Sequence, residues 1–414
     1  MIKEKKIGSH ALIILLFLYS LGIGNWEKYF VLIFFVYVLF GKYRFRVSNS
    51  QFIPLILWGV TYSIMYILRG NNFFTGSIYY LISPLVFFLL AKKMYQKVAL
   101  DNKKEFIKLI LFTVSLGFFF HGTLNILSSA LNGTFNVSFE YVYDIWSHKL
   151  NNRTIIGLYL SPIVFITVPM LFFERKSIKI GFRIICLILL TLALLQSIYI
   201  GNRTILVIFV LLSIICLLII IKDSKKKFQI IGGIIFVGMM FVVAYQINLF
   251  GLKKFILSSH LIQRNAGLES SRWQVYREII TNFFEFIGGW MTGGDIVLST
   301  GYAHNMWLDI YIFSGIVPTL FFLIYTIRVL REMFKCYQKS ETMKEKLMIV
   351  AFVLGILLNW AVEPVLEANP YYVSVCIAIF SLIEEYAFTL RKNFLVKFGK
   401  EKVYEGFANQ YNIP

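Results

Sequence analysis

An all-α polytopic membrane protein of about twelve transmembrane helices is the fold class this sequence predicts, and three observations predict it. Of its 414 residues, 58% are hydrophobic and 15% charged, an apolar share too large for one water-soluble core. Apolar runs recur at lengths near the roughly 20 residues that a helix needs to cross about 30 Å of hydrocarbon. Lys and Arg gather in alternate short connections, the pattern that marks cytoplasmic loops.

In chain order the expected spans are residues 8–24, 29–41, 52–68, 76–91, 106–127, 154–173, 182–200, 204–221, 228–247, 304–327, 346–366 and 371–390, the second and fourth being short. The first has the basic start of a signal peptide but no small-residue cleavage site before Trp26, and reads as a retained helix. With the N-terminus inside, the inner segments hold 31 of the 41 basic residues, among them Lys92, Lys93 and the cations between Arg328 and Lys346, so both termini are expected in the cytoplasm. The formal charge of +19 then reflects topology and contact with anionic membrane lipids, and nucleic acid is not an expected partner. Cys186, Cys216, Cys336 and Cys376 fall in spans or an inner loop, which implies neither a disulfide framework nor a metal cluster. Without an internal repeat, residues 1–414 are expected to form one membrane domain. A composition rich in Lys, Ile, Phe and Asn points to a bacterium with AT-rich DNA.

Six of the ten remaining, outer cations are Arg: Arg69, Arg153, Arg203, Arg264, Arg272 and Arg277. A topology signal is served equally by Lys, whereas the guanidinium fork grips phosphate or carboxylate in two places, so this face is expected to bind an anion. For Arg69 alone, a headgroup phosphate is the favoured partner. Arg203 lies in the turn Gly201-Asn202-Arg203-Thr204 between two spans, where it either serves a ligand or snorkels to the interface.

Two outer loops exceed the length of a connector. The first, 128–153, sets Glu140, Asp144, His148, Lys149 and Arg153 among Tyr141, Tyr143 and Trp146, a mixture suited to stacking sugars and equally to anchoring an interfacial belt. The second, 248–305, contains an expected amphipathic helix over 271–287, with Trp273, Tyr276, Ile280, Phe283, Phe284 and Ile287 on its apolar side. Laid on the bilayer surface, it holds Arg272 and Arg277 at headgroup depth. Gly288-Gly289 and Gly293-Gly294 end it and let backbone approach a ligand. His304-Asn305 opens the tenth span, where His304 is either a functional imidazole or a cap for that helix. Glu363 can bind sugar hydroxyls, act as a base or pair with an outer Arg, while His121, Asn125 and Asp309 line an aqueous cavity or bond between helices.

Taken in order, the Gly-Asn-Arg-Thr turn, Ser271-Arg272-Trp273, Gly288-Gly289, Gly293-Gly294, Ala303-His304-Asn305 and Gly315-Ile316 resemble the O-antigen polymerase and O-antigen ligase superfamily of bacterial envelope glycosyltransferases. The interval from Arg277 to Gly288 is similar to the Arg-x10-Gly element of the polymerase branch. That resemblance implies a GT-C-like fold in the bacterial cytoplasmic membrane. It also implies metal-independent transfer of oligosaccharide from an undecaprenyl-diphosphate carrier to a lipid-linked acceptor at the outer face. No cofactor is implied, and a chain-length regulator protein is an optional partner. Arg203 and Arg272 would stabilise the departing diphosphate and His304 would take the acceptor proton, with Arg277, Arg264, Asn305, Glu363 and Arg153 binding substrate. The competing readings are a ligase acting on a lipid core and a flippase or transporter for lipid-linked oligosaccharide, the latter disfavoured because the ionisable residues gather at one face.

Overall fold

With no water to bond an open amide, an apolar run in hydrocarbon closes its hydrogen bonds within itself, and nearly every apolar run of this chain is helical. The computed structural model describes residues 2–41, 49–99, 102–132, 141–173, 179–223, 246–248, 271–289 and 302–411, with side chains left out at 2–9, 25, 49, 75, 141, 223, 271, 272, 367 and 393–411. In chain order the elements are α1 (Ile2–Ser20), α2 (Glu27–Phe40), α3 (Asn49–Leu68), α4 (Ser77–Lys97), α5 (Lys103–Leu131), the hairpin β1 (Tyr141–Tyr143) and β2 (Leu150–Asn152), α6 (Arg153–Leu171), α7 (Ile180–Tyr199) and α8 (Arg203–Asp223). They continue with α9 (Ser271–Thr281), α10 (Met306–Ser314), α11 (Ile316–Lys339), α12 (Met343–Val362) and α13 (Pro370–Tyr411).

Among the described residues, eight helices are long and apolar enough to cross a membrane: α3 to α8, α12 and the Pro370–Lys392 part of α13. They coincide with eight of the expected spans; most of 228–247 lies outside the described residues. The chain is an all-α polytopic membrane protein by this measure, the small hairpin being its one described sheet. α6 and α13 form the centre, with 83% and 94% of their apolar windows buried, whereas α7 and α8 bury 22% each and turn Ile184, Ile188, Val210 and Leu218 outward. Such faces belong against lipid tails.

Small and hydroxyl side chains hold the helices together, as expected where hydrophobicity supplies no preference between protein and lipid. A Cβ at Gly355 would stand 2.4 Å from the Phe165 ring, so α12 reaches α6 only because residue 355 is Gly. Pro162 lacks the N–H that would bond the Leu158 carbonyl, and the neighbouring Ser161 hydroxyl donates to it at 3.0 Å. Asn359 of α12 donates to Ser161 Oγ at 2.6 Å and to the Tyr372 hydroxyl of α13 at 3.3 Å, joining the three central helices.

Three expectations need correction. Lys92 and Lys93 do not reach lipid: Lys92 is buried and pairs with Glu384 at 2.6 Å and Glu385 at 2.9 Å on α13, and Lys93 donates to the carbonyls of Tyr37, Val38 and Gly41, capping α2. Arg69 does not require a phosphate either, because it donates to the Phe313 carbonyl at 3.1 Å, at the end of α10. Nor is 304–327 a single helix. It breaks at Gly315 (φ 83°), and Trp307 Nε1 donates to Thr326 at 3.2 Å, a contact that a continuous helix would spread over about 28 Å. α10 and α11 are therefore an antiparallel hairpin.

The buried Lys92 cluster yields a stability test. Lys92→Met strands two carboxylates between α4 and α13 and lowers the unfolding free energy in detergent by about 3–5 kcal/mol, whereas adding Glu384→Leu and Glu385→Leu restores much of it.

Candidate functional site

The Gly201-Asn202-Arg203-Thr204 turn is built around one side chain. Asn202 is buried; its Oδ1 accepts the Ile205 amide at 3.2 Å as the cap of α8, its Nδ2 donates to the Arg153 carbonyl at 3.1 Å, and Ser197 Oγ donates to its carbonyl at 2.8 Å. Gly201 supplies the left-handed backbone (φ 68°) that turns the chain. Room for Asn202 comes from α6, where a Cβ on Gly157 would stand 2.0 Å from Nδ2. The result fixes Arg203, exposed in the first turn of α8, and Thr204, which donates to Glu363 Oε1.

Opposite this turn two distant glycines meet. Gly289 (φ 71°) and Gly315 pack backbone to backbone, with a Cβ on Gly315 only 2.4 Å from the Ile287 carbonyl, and the Ile316 amide donates to that carbonyl at 2.8 Å. From Gly315 the nine residues of α10 run back to a far end about 13 Å away. At that far end sits His304, itself left-handed (φ 54°), a conformation that costs an L-residue energy unless neighbours enforce it. Buried Asp309 does so by accepting the Ala303 amide at 2.7 Å and the Asn305 amide at 3.2 Å. Asn305 caps α10 by accepting from Leu308 at 3.2 Å and donates to Ala361 of α12 at 3.0 Å. Capping is therefore the work of Asn305, and the His304 ring is left for another role.

Glu363 joins the two halves. It ends α12, is 3% exposed, and its Oε2 stands 3.7 Å from His304 Nδ1 while Thr204 holds Oε1. The His304 Nδ1 atom is buried and makes no hydrogen bond, and 3.7 Å is a separation that closes to a bond with a small ring movement. A carboxylate behind an imidazole fixes the tautomer and stabilises the imidazolium, the arrangement of a base that takes a proton from a hydroxyl.

Of the expected site residues, His304, Glu363 and Asn305 come together, with Arg203 next to Thr204 and Arg153 bonded to the same turn through its carbonyl. Arg264 lies outside the described residues, as does the side chain of Arg272, whose backbone forms the first turn of α9. Arg277 is exposed on α9. That helix is shorter than expected, ending at Thr281 before a tight turn over Phe283–Phe286. It also carries two apolar faces: Val275 and Ile279 pack with Phe286, Ala303, Tyr311 and Ile312, while Trp273 and Ile280 point outward, as does Phe284 of the following turn. Gly288-Gly289 packs backbone to backbone against Gly315, and Gly293-Gly294 lies outside the described residues. Gly157, Asn202 and Thr204 escaped sequence reasoning as supports; a Gly within an apolar run and an Asn directly before a helix were the available signals.

A second polar centre lies nearby, built on Asp144. This buried carboxylate accepts from His121 at 3.0 Å, Asn125 and Asn151 at 3.2 Å, and the amides of Trp146 at 3.0 Å and Ser147 at 2.7 Å. Burial opposes its ionisation, yet the bonds from His121 and Ser147 hold its carboxyl well below the usual range. His121 stacks on Tyr159 with ring centres 4.2 Å apart and lies where a Cβ of Gly22 (φ 64°) would fall, which locks α5, α6 and the α1–α2 turn together. These elements and residues 368–371 enclose a cavity of about 740 Å³. Glu27, the first residue of α2, faces it; burial, helped by the charge of Asp144, raises its carboxyl from 4.5 to about 7.

Compared with protein-family profiles and with curated proteins, the chain matches none.

Two measurements check this geometry. Gly157→Ala destabilises the protein by displacing Asn202, and because Asn202→Ala vacates the same space, the double variant loses at least about 1 kcal/mol less than the sum of the single losses in detergent unfolding. Folding raises the Glu27 carboxyl, so the native state binds its proton more tightly than the unfolded chain; stability falls as pH rises from 4.5 through about 7. The thermal midpoint of wild type is therefore expected to drop between pH 5 and pH 8 more than that of Glu27→Gln.

Proposed function

We propose that this chain is an envelope polysaccharide polymerase, a GT-C-like glycosyltransferase of the bacterial cytoplasmic membrane. It transfers oligosaccharide from an undecaprenyl-diphosphate carrier to a lipid-linked acceptor at the outer face. One observation carries the reading: the buried Glu363 carboxylate stands against both His304 and Thr204, so an imidazole and the turn that bears Arg203, from distant parts of the chain, meet at one carboxylate. Here the acceptor hydroxyl gives its proton to the His304 ring, and Glu363 stabilises the imidazolium that results. Oxygen bonds to the anomeric carbon as the carbon–oxygen bond to diphosphate breaks, and the bonding pair leaves with the diphosphate. Arg203, with Arg272 and Arg277 from α9, offsets that developing charge. The backbone supports this choice, since Asp309 and Asn305 hold His304 in a conformation that nothing in the packing of α10 alone demands. Membrane lipids form the surrounding solvent, and Arg153 and Asn305 border the acceptor.

Proteoliposomes supplied with purified lipid-linked repeat units test the reading. A ladder of products marks a polymerase, transfer only to a lipid core marks a ligase, and unaltered units crossing the bilayer mark a flippase. His304→Asn, which tolerates the left-handed backbone, is expected to lower the elongation rate by about 10²–10⁴-fold without loss of insertion. Arg203→Ala is expected to stop the ladder, and Arg203→Lys to restore little of it, since the ammonium lacks the guanidinium fork.

A further inference from the structure

Two polar regions of this face differ in electrical character. At the His304 site the Glu363 carboxylate stands against the imidazole and accepts from Thr204, the neighbour of Arg203, while the buried Asp309 carboxylate is taken up by the Ala303 and Asn305 amides. The Asp144 cavity is balanced: its carboxyls, Glu27 and Asp144, are matched by Lys28 and Lys149. Five tyrosines line it, among them Tyr29, Tyr79, Tyr159 and Tyr371, together with Asn369 and Ser147.

We propose that this cavity is a second binding site, which takes an uncharged saccharide segment of more than one sugar unit. Tyrosine faces stack on the C–H faces of pyranose rings, while Glu27, Asn369 and the lysines bond hydroxyls. A volume of about 740 Å³ fits a ligand of that size and lies in the range of small-molecule sites. An acyl chain would strand Glu27 and the amides without partners. Phosphate would face two carboxyls and no arginine. The walls are also preorganised: Asp144 gathers five donors, Asn369 donates to the Tyr159 hydroxyl at 3.0 Å, and Tyr19 donates to the Tyr371 carbonyl at 3.4 Å. One short connector links the two regions, with Glu363 at His304 and Asn369 in the cavity wall. The ligand class rests on the cavity alone; that the saccharide is part of the growing chain rests on the polymerase reading.

The test uses full-length protein in nanodiscs, fluorescently labelled and applied to an array of immobilised bacterial capsule and O-antigen oligosaccharides, both uncharged and uronic-acid-containing. Wild type and His304→Asn are expected to retain the same uncharged glycans. Tyr29→Ala and Lys149→Ala, at exposed positions that leave the core intact, are expected to weaken retention at least tenfold. No retention, retention of acidic glycans only, or unchanged retention by both rim variants overturns the assignment. Ladder synthesis with a silent array removes the cavity and leaves the polymerase standing. Retention without ladder synthesis does the reverse.

Discussion

Hydrocarbon tolerates no unbonded amide, and at three described places on the His304 face where the chain leaves helical geometry, one buried Asn or Asp gathers the stray donors. Asn202 does this for the turn before α8, Asp309 for residues 303–305 and Asp144 for the loop between β1 and β2. Each also reaches another element or fixes a neighbour that does: Asn202 to α6, the Asp309-held Asn305 to α12, Asp144 to α5. The three side chains convert irregular backbone, otherwise the weakest part of a membrane bundle, into its most fully bonded part. Function gathers there because irregular backbone is also where side chains leave the regular helical rows.

The bundle beneath supplies the rigidity. Ser161, Asn359 and Tyr372 tie α6, α12 and α13 together, and Gly355 lets the first two approach closely. α12 ends at Glu363 and α6 begins at Arg153, so the same three-helix unit sets where the carboxylate stands and where Asn202 docks. Lipid-facing α7 and α8 contribute little core, yet the turn between them carries Arg203.

Much of this fold was legible from the chain, because a helix crossing lipid needs length and apolar character, both local properties. Eight spans were readable for that reason. The hairpin of α10 and α11 was not: beyond Asp309 the stretch to 327 is almost wholly apolar, and Gly315 with Pro318 marks a helix break without saying that the chain reverses there. Nor was the burial of Lys92, which looks like any loop cation until Glu384 and Glu385 are placed opposite it. At the site, residue types were readable and partnerships were not. His304, Glu363 and Arg203 stood out as polar groups at span ends, but that Glu363 bridges the other two turns depends on how α8, α10 and α12 pack. The two faces of α9 blurred for a related reason, since its outward Trp273 and Ile280, continued by Phe284 of the next turn, are more conspicuous than the Val275 and Ile279 pair that packs inside.

The contact between Gly289 and Gly315 has a topological consequence. Because Gly289 and Gly315 touch, the sequence inserted between them joins two points on one side of the bundle, and α11 starts from that side whatever the length of the insertion. Such an insertion can lengthen, shorten or deepen across lineages without inverting anything downstream. It gives a membrane protein a means of remodelling a recessed centre while its sidedness stays untouched.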